Sequence, residues 1–360
     1  MTVWEVDWGV GAWLRGVVRP KPLAEPRIPA RIPVREGAYV PATLLSTAMN
    51  LGIAFGGGGM RGWAHLGVLT VLDRLGLRPD VLAGCSAGAL IGAYRAAGFT
   101  VDEMAALMRE QKTSSLFSLR FDGVGLLSQD NFRAYLRRHL GDVRLEDLAT
   151  PLYVVATDLD TGREVVLSRG SVVDAVLASS AMPGIFAPVE VDGRLLVDGG
   201  LCNNVPVSAR VHAGARGTVG VRLHNREHLT PMRKARADAD GGEGRVSLAL
   251  WAERLAQRFA VRGGLPGGLE VASRALDIVT AQIEQARLQT YPPDVLLTPD
   301  LARVGVLSFS EDKAGIFESG VRAAEDRRAD LLALGARLRG GDGRAGAPPD
   351  AAPRALPLRS

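Results

Sequence analysis

Two short apolar runs, each ending in glycine and each followed by a helix-period segment, constrain this chain more than any other feature. LGIAF (51–55) leads into GGGGMRG and then WAHLGVLTVLDRLG, and VLAG (81–84) leads into CSAG and then ALIGAYRAAG. Apolar runs this short, bounded by glycine, read as buried strands. In the first helix Leu66, Leu69, Leu72 and Leu75 recur at three-residue spacing, and Gly76 ends it. Strand, glycine loop, helix, strand, tight turn, helix is the start of a parallel α/β sheet.

The rest of the chain continues in kind. Residues 101–140 read as mostly helical, with a loose Phe/Leu-rich middle. YVVATDLDTGREVVLS reads as two strands turning around Asp160 to Gly162, and SVVDAVLASSAM as a short helix with Ser171 and Asp174 in capping-box register. PVEVDGRLLVDGG is a hairpin with Asp192-Gly193 at its turn, and GTVGVRLH a further strand. Polar, glycine-containing residues 226–245 read as a long surface loop, followed by the amphipathic LALWAERLAQRF. A helix over 270–290, a strand at DVLLTP and one last helix over 310–337 complete the expected order.

This gives three expected regions. Residues 1–47 form an extension in which proline recurs from Pro20 to Pro41 among scattered arginines. Residues 48–337 form one α/β domain, and residues 338–360 have the composition of a disordered tail. Three tryptophans (Trp4, Trp8, Trp13) open the extension. They suit either an interfacial anchor or a strap docked on the domain, and Glu5 and Asp7 among them weigh against the anchor.

Composition excludes several classes. Of 360 residues, 47% are hydrophobic and 23% charged, which permits a sizeable globular core. The net charge of +4 is small for this length, and no basic stripe interleaved with aromatics is present, so nucleic acid is not an expected partner. Cys85 and Cys202 are the only cysteines, and the five histidines have no HExxH-type spacing, so neither a disulfide framework nor a metal site is expected. The first residues contain acids and no continuous apolar stretch, and no run of 18 apolar residues exists. Neither a secretory signal nor a membrane span is expected, and cytoplasm is the expected compartment.

Three stretches carry chemistry. Gly84-Cys85-Ser86-Ala87-Gly88 places one hydroxyl at a strand-to-helix turn with small neighbours, as a nucleophile elbow requires; the same pattern also arises by chance in glycine-rich chains. A serine hydroxyl needs a base to attack and donors for the oxyanion that forms. GGGGMRG has two parses. Gly57, Gly59 and Gly62 fit the dinucleotide fingerprint, but the acid expected at the end of the next strand is missing, since Asp80 stands at that strand's start. Alternatively the N–H groups of Gly57, Gly58 and Gly59 converge beside Ser86 as an oxyanion loop. Arg61 then fixes the loop, meets an anionic head group, or is simply a solvated helix-start arginine. The third stretch, VDGG (197–200), is either an ordinary Asp-Gly turn or the carrier of a carboxylate, Asp198, that takes the serine proton without a histidine.

Taken in order, GGGMRG, GCSAG and DGG, with AVLASSAMPGIFAPVEVDGRLLVDGGLCNNVPV leading to the last, resemble the patatin-like phospholipase family over about residues 51–223. The helix at 270–290 with PPDVLLTPDL is similar to the C-terminal part of bacterial members. The resemblance implies a three-layer α/β/α fold with a mostly parallel central sheet. It implies hydrolysis of lipid acyl esters by a Ser–Asp dyad, without cofactor or metal. By position Ser86 is the nucleophile, Asp198 its base, Gly57, Gly58 and Gly59 the oxyanion hole, and Arg61 the motif's basic residue, expected at the substrate. The implied partner is a lipid or fatty-acyl ester, with peripheral membrane contact left open; oligomeric state is not legible.

Two other readings stand beside this one. An α/β-hydrolase triad in the order Ser86, Asp198, His224 is permitted, although nothing around His224 is distinctive. A lipid- or nucleotide-binding protein with inactive motifs is the other, against which the presence of both Ser86 and Asp198 argues. His65 reads as a packed or loop-supporting side chain. Cys85 and Cys202 flank the two candidate residues as small buried thiols or as a redox switch. The Leu/Phe-rich 116–127 segment and helix 246–260 are candidates to line an acyl trough, with 226–245 as a flap.

Overall fold

The computed structural model describes residues 51–110, 116–119, 125–212, 214–223, 268–301, 304 and 312–340. The N-terminal extension, His224, the 226–245 loop, the 246–260 helix and most of the C-terminal tail lie outside them.

In chain order the elements begin with β1 (Leu51–Phe55), α1 (Trp63–Arg74), β2 (Val81–Cys85), α2 (Ala87–Ala96) and α3 (Val101–Glu110). A two-stranded hairpin, β3 (Ser118–Leu119) and β4 (Leu127–Ser128), and α4 (Asp130–Leu140) follow. Next come β5 (Leu152–Asp158), β6 (Glu164–Leu167), α5 (Val172–Ser179), β7 (Val189–Val191), β8 (Arg194–Asp198), α6 (Gly200–Asn203), α7 (Val207–His212) and β9 (Gly217–Val221). The described chain closes with α8 (Gly268–Thr290), β10 (Val295–Leu297), α9 (Lys313–Asp326) and α10 (Arg328–Arg339).

Eight strands form one mixed sheet in the order β10-β9-β1-β2-β5-β8-β7, with β6 also on β5. The five strands from β10 to β5 are mutually parallel, and β6, β8 and β7 pair antiparallel. Every residue of β1, β2 and β9 is buried. That is why their sequences are continuous apolar runs rather than alternating ones: helices cover both faces of the sheet. The fold is a three-layer α/β/α sandwich, as expected.

The register around β5 brings the two key strand ends together. Residues Val154 and Val155 face β2 on one edge and β6 on the other, while Ala156 and Thr157 face β6 and β8. A strand has only two edges, so β2 and β8 share one of them, end to end. β2 finishes at Cys85 opposite Val155, and β8 finishes at Asp198 opposite the next residue, Ala156. The residue after Cys85 is Ser86. Two segments over a hundred positions apart therefore meet at one step of β5.

Two expectations are corrected. Residues 310–337 are not one helix. Arg327 leaves helical geometry (φ −106°, ψ 18°), separating α9 from α10. The apolar period continues through the break, with Val321 and Ala324 before it and Leu331, Leu334 and Leu338 after it all buried. No glycine or proline marks the bend. The turn lets Leu334 and Leu338 pack over Gly217 of β9, where a Cβ would stand 2.8 Å from the Leu334 side chain. The Phe/Leu-rich middle of 101–140, expected to be loose, holds the β3–β4 pair. Phe117 from this segment packs on Phe132 and Phe186, at centroid distances of 5.7 and 5.0 Å. The Ser171 hydroxyl caps α5 by accepting from the Asp174 N–H, but the reciprocal half of the box is not formed. The Asp174 carboxylate pairs with Arg133 instead.

Candidate active site

Ser86 sits where β2 turns into α2, with φ 49° and ψ −116°. A non-glycine residue in that region costs roughly 1–3 kcal/mol and persists only where its surroundings over-determine it. They do so here. The Ser86 N–H donates to Ser179 Oγ (2.8 Å), and Ser179 Oγ donates to the Val155 carbonyl (2.6 Å), so a fully buried hydroxyl clamps the turn to β5. The Leu90 N–H takes the Ser86 carbonyl as the helix begins (3.1 Å). Although Ser86 is the N-cap of α2, its side chain makes no capping bond. Ser86 instead lines an open cleft.

Asp198 borders the same cleft and is only 8% exposed. Its Oδ1 accepts from the Gly200 N–H at 2.7 Å and from the Cys85 thiol at 3.7 Å, and its own N–H donates to the Ala181 carbonyl. Thr157 Oγ1 donates to the Asp198 carbonyl (2.9 Å). Burial, reinforced by the Asp198 charge, pushes the Cys85 thiol well above the ordinary range, so Cys85 stays a protonated donor to the carboxylate. Cys202 faces elsewhere: its thiol donates to the Gly162 carbonyl.

Gly57, Gly58 and Gly59 also line the cleft, so the structure brings all three glycines to Ser86 and Asp198. Their N–H groups are not equivalent. Gly56 donates to the Val221 carbonyl (2.9 Å) and Gly57 to the Asn204 carbonyl (3.2 Å). These two bonds anchor the loop. Among the described residues the Gly58 and Gly59 N–H groups carry no such bond and stand as the available donors. Gly57, expected as a donor beside Gly58 and Gly59, is thus the one of the three whose N–H is bonded to a backbone carbonyl. Glycine is required there for space as well, because a Cβ on Gly57 would lie 2.6 Å from Asn204 Oδ1 and 3.3 Å from Ser86 Cβ.

Arg61 is not among the residues lining the cleft. Its Nε donates to the Val304 carbonyl (2.7 Å) and its Nη1 to the Leu223 carbonyl (3.2 Å), bracing the loop from behind. Burial lowers its pKa, and the Asp277 and Glu284 carboxylates oppose that shift. These two bonds give Arg61 a loop-supporting place, one of the alternatives its sequence position left open.

His65 supports the same loop. Its ring is fully buried, packs edge-on against Phe55, and shares a 2.8 Å hydrogen bond with the Gly56 carbonyl. A carbonyl only accepts, so Nε2 carries the hydrogen, and Nδ1 is left without a partner. Burial lowers its pKa from 6.5 to about 4, against the opposing pull of the Gly56 carbonyl. In the unfolded chain the ring protonates near 6.5, whereas in the folded one it stays neutral until about 4. The unfolded state therefore binds the extra proton, and stability falls as pH drops from about 6.5 toward 4. Between pH 7 and pH 5 this group alone should remove about 2 kcal/mol. In urea titrations the stability advantage of wild type over His65→Gln should shrink by that amount; a gap that stays constant with pH would contradict it.

Several cleft residues carried no signal that sequence reasoning used. Leu276, Asp277 and Thr280 from α8 form one wall, and Met182 and Pro183 another. Asn204 also lines the cleft; its Nδ2 donates to Glu284, whose Oε1 accepts from Arg222 Nε (2.7 Å). Asn204 stands in the quoted LCNNVPV, and Ser179 in ASSAM, but neither residue type announces its role without its partners. Of the expected trough, residues 116–119 and 125–127 back the wall through Phe186 rather than line it. No group of three or more His, Cys, Asp or Glu that could hold a metal ion occurs among the described residues. No helix among them is long and apolar enough to cross a membrane.

The chain is similar to known proteins over the segment that carries Ser86 and Asp198. Residues 53–211 match the family model of patatin-like phospholipases. An uncharacterized NTE family protein of Mycobacterium tuberculosis is 36% identical over 185 residues, 51% of each chain. Another from the same organism is 30% identical over 291 residues, 79% of this chain and 48% of the relative. Neuropathy target esterase sws of Drosophila melanogaster is 29% identical over 189 residues, 50% of this chain and 13% of that protein. The chain spans about half the length, or less, of these curated relatives. The crystal structure of VipD from Legionella pneumophila superposes with a TM-score of 0.50 at 15% identity, covering 80% of this chain and 67% of that one, a likeness of fold.

Proposed function

Residues 53–211 belong to the patatin-like phospholipase family, and on that premise we propose that the chain hydrolyses carboxylic esters of phospholipids or lysophospholipids, with Ser86 as nucleophile and Asp198 as base. The observation that carries this reading is the meeting of β2 and β8 on one edge of β5, which sets the strained serine and the buried carboxylate at one cleft.

Each residue then has a physical task. Asp198 takes the proton of Ser86 Oγ, and the oxygen attacks the ester carbonyl carbon. The Gly58 and Gly59 N–H groups stabilise the oxyanion, beside the N-terminus of α2. Collapse of the tetrahedral species expels the alcohol, which takes the proton from Asp198. Water then attacks the acyl group on Ser86, giving its proton to Asp198, and the acid leaves. The apolar side chains of Met182, Pro183, Leu201 and Leu276 suit an acyl chain. α8 supplies part of that wall, which supports a catalytic unit reaching past the family-model boundary, and we take it as residues 48–337. Contact with a membrane surface belongs to the same reading, since the substrate resides there.

The test is labelling with a fluorophosphonate, which traps an activated serine. Wild type should be labelled on Ser86, as located by peptide mass spectrometry, and Ser86→Ala should not react. Label that persists at another residue of Ser86→Ala would refute the nucleophile assignment.

A further inference from the structure

The Asn204 side chain is held in one orientation by a buried charge, and this fixes which of its two ends faces the cleft. Glu284 is 1% exposed and ion-paired to Arg222, so it is a carboxylate and only accepts. Asn204 Nδ2 must therefore face Glu284, as it does, and Oδ1 must face the other way. That acceptor lies 3.1 Å from the point where a Cβ on Gly200 would stand, and Asp198 Oδ1 lies 3.1 Å from the same point. It is also the atom nearest a Cβ built on Gly57, with Ser86 Cβ next. An acceptor oxygen is thus aimed into the small space shared by the serine, the carboxylate and the glycine loop.

On the dyad reading, the reactant with two hydrogens to place is the water of the second half-reaction. We infer that Asn204 Oδ1 accepts one hydrogen of the deacylating water while Asp198 takes the other, with Glu284 and Arg222 acting behind Asn204 as positioning residues. The inference rests on the Ser86–Asp198 reading above. In this step the water oxygen forms a bond to the acyl carbon and its proton passes to Asp198. The bond from that carbon to Ser86 Oγ then breaks, and Oγ regains the proton from Asp198. Asn204 gives up and gains nothing; it orients the attacking lone pair. The first half-reaction has no such water, so Asn204 serves deacylation selectively.

The same buried group explains the clamp's cost. A buried ion pair is rarely a net source of stability. Here it holds an amide that would otherwise turn either end toward the cleft, and the two segments it joins are those whose carbonyls anchor the loop, Asn204 for Gly57 and the neighbour of Arg222, Val221, for Gly56.

Rapid-mixing hydrolysis of p-nitrophenyl butyrate separates the two half-reactions. In Asn204→Ala the first-turnover release of nitrophenol should keep roughly the wild-type rate, while steady-state turnover falls roughly 100-fold and butyryl-Ser86 accumulates to be seen by mass spectrometry. Glu284→Gln, whose amide can donate to Asn204 and permit the flipped orientation, should show the same pattern more weakly; it decides the matter if Asn204→Ala does not fold. Equal loss in both phases, or unaltered turnover, overturns the inference. If wild type itself never carries an acyl or phosphonyl group on Ser86, the dyad reading has failed rather than the role of Asn204.

Discussion

Asp198→Asn should leave the fold intact and lower kcat by about four orders of magnitude, with KM little changed. The substitution is isosteric, and the backbone bonds from Asp198 N–H to Ala181 and from Thr157 to the Asp198 carbonyl do not involve the side chain. What changes is chemistry. An amide has no basic lone pair for the serine proton. Its amide oxygen can keep accepting from the Gly200 N–H, which leaves the NH2 group in place of the other carboxylate oxygen. The oxyanion donors and the cleft remain, so residual hydrolysis above the solvent rate should persist. Steady-state kinetics on a soluble ester with parallel thermal unfolding would check this. A variant retaining a tenth of wild-type kcat would exclude Asp198 as the base.

Gly88→Ala should be destabilised by about 4 kcal/mol or more, enough to lose most folded protein. A Cβ there would stand 2.1 Å from the Phe55 carbonyl oxygen and 2.5 Å from its carbon. Both partners are backbone, one at the start of α2 and the other at the end of β1, so no side-chain rotation relieves the contact. Either α2 must lift away from β1, dragging Ser86 with it, or the glycine loop that follows Phe55 must shift. The informative control is Gly162→Ala. Unlike Gly88 it lies at positive φ (67°), and it has nothing within 4 Å of its would-be Cβ, so only local backbone strain of about 1–2 kcal/mol applies. Urea unfolding of both variants distinguishes steric from conformational cost. Similar stabilities for the two would show that α2 and β1 are not packed this closely.

The glycines illustrate what sequence can and cannot assign. GCSAG and GGGGMRG are visible as glycine-rich turns, and the strand–turn–helix context of each follows from apolar runs and helix period. Which glycine does what is not visible. Gly88 is needed because a neighbouring strand passes underneath, and Gly57 because Asn204 sits on it. Gly67 and Gly320 let α1 and α9 approach until a Cβ on Gly320 would lie 2.0 Å from the Ala64 carbonyl, a contact no local pattern announces. Arg61 follows the same logic. Its position allows loop support or an anionic ligand, and only the fold shows that the carbonyls of Val304 and Leu223, distant in sequence, take two of its donors.

By itself the sequence determined the parallel α/β opening, the candidate nucleophile and carboxylate, and the order of most elements. Those follow from short-range patterns: apolar period, glycine at turns, one hydroxyl at an elbow, one Asp before two glycines. Tertiary structure alone decided that α9 and α10 separate at Arg327, where packing over Gly217 outweighs an unbroken helical pattern. It also decided which glycine N–H groups are available, since backbone donors differ only in which distant carbonyls reach them. And it drew Ser179, Asn204 and Glu284 into the site, because a side chain's role there depends on partners that only the sheet register of β5 and the placement of α8 bring within hydrogen-bonding distance.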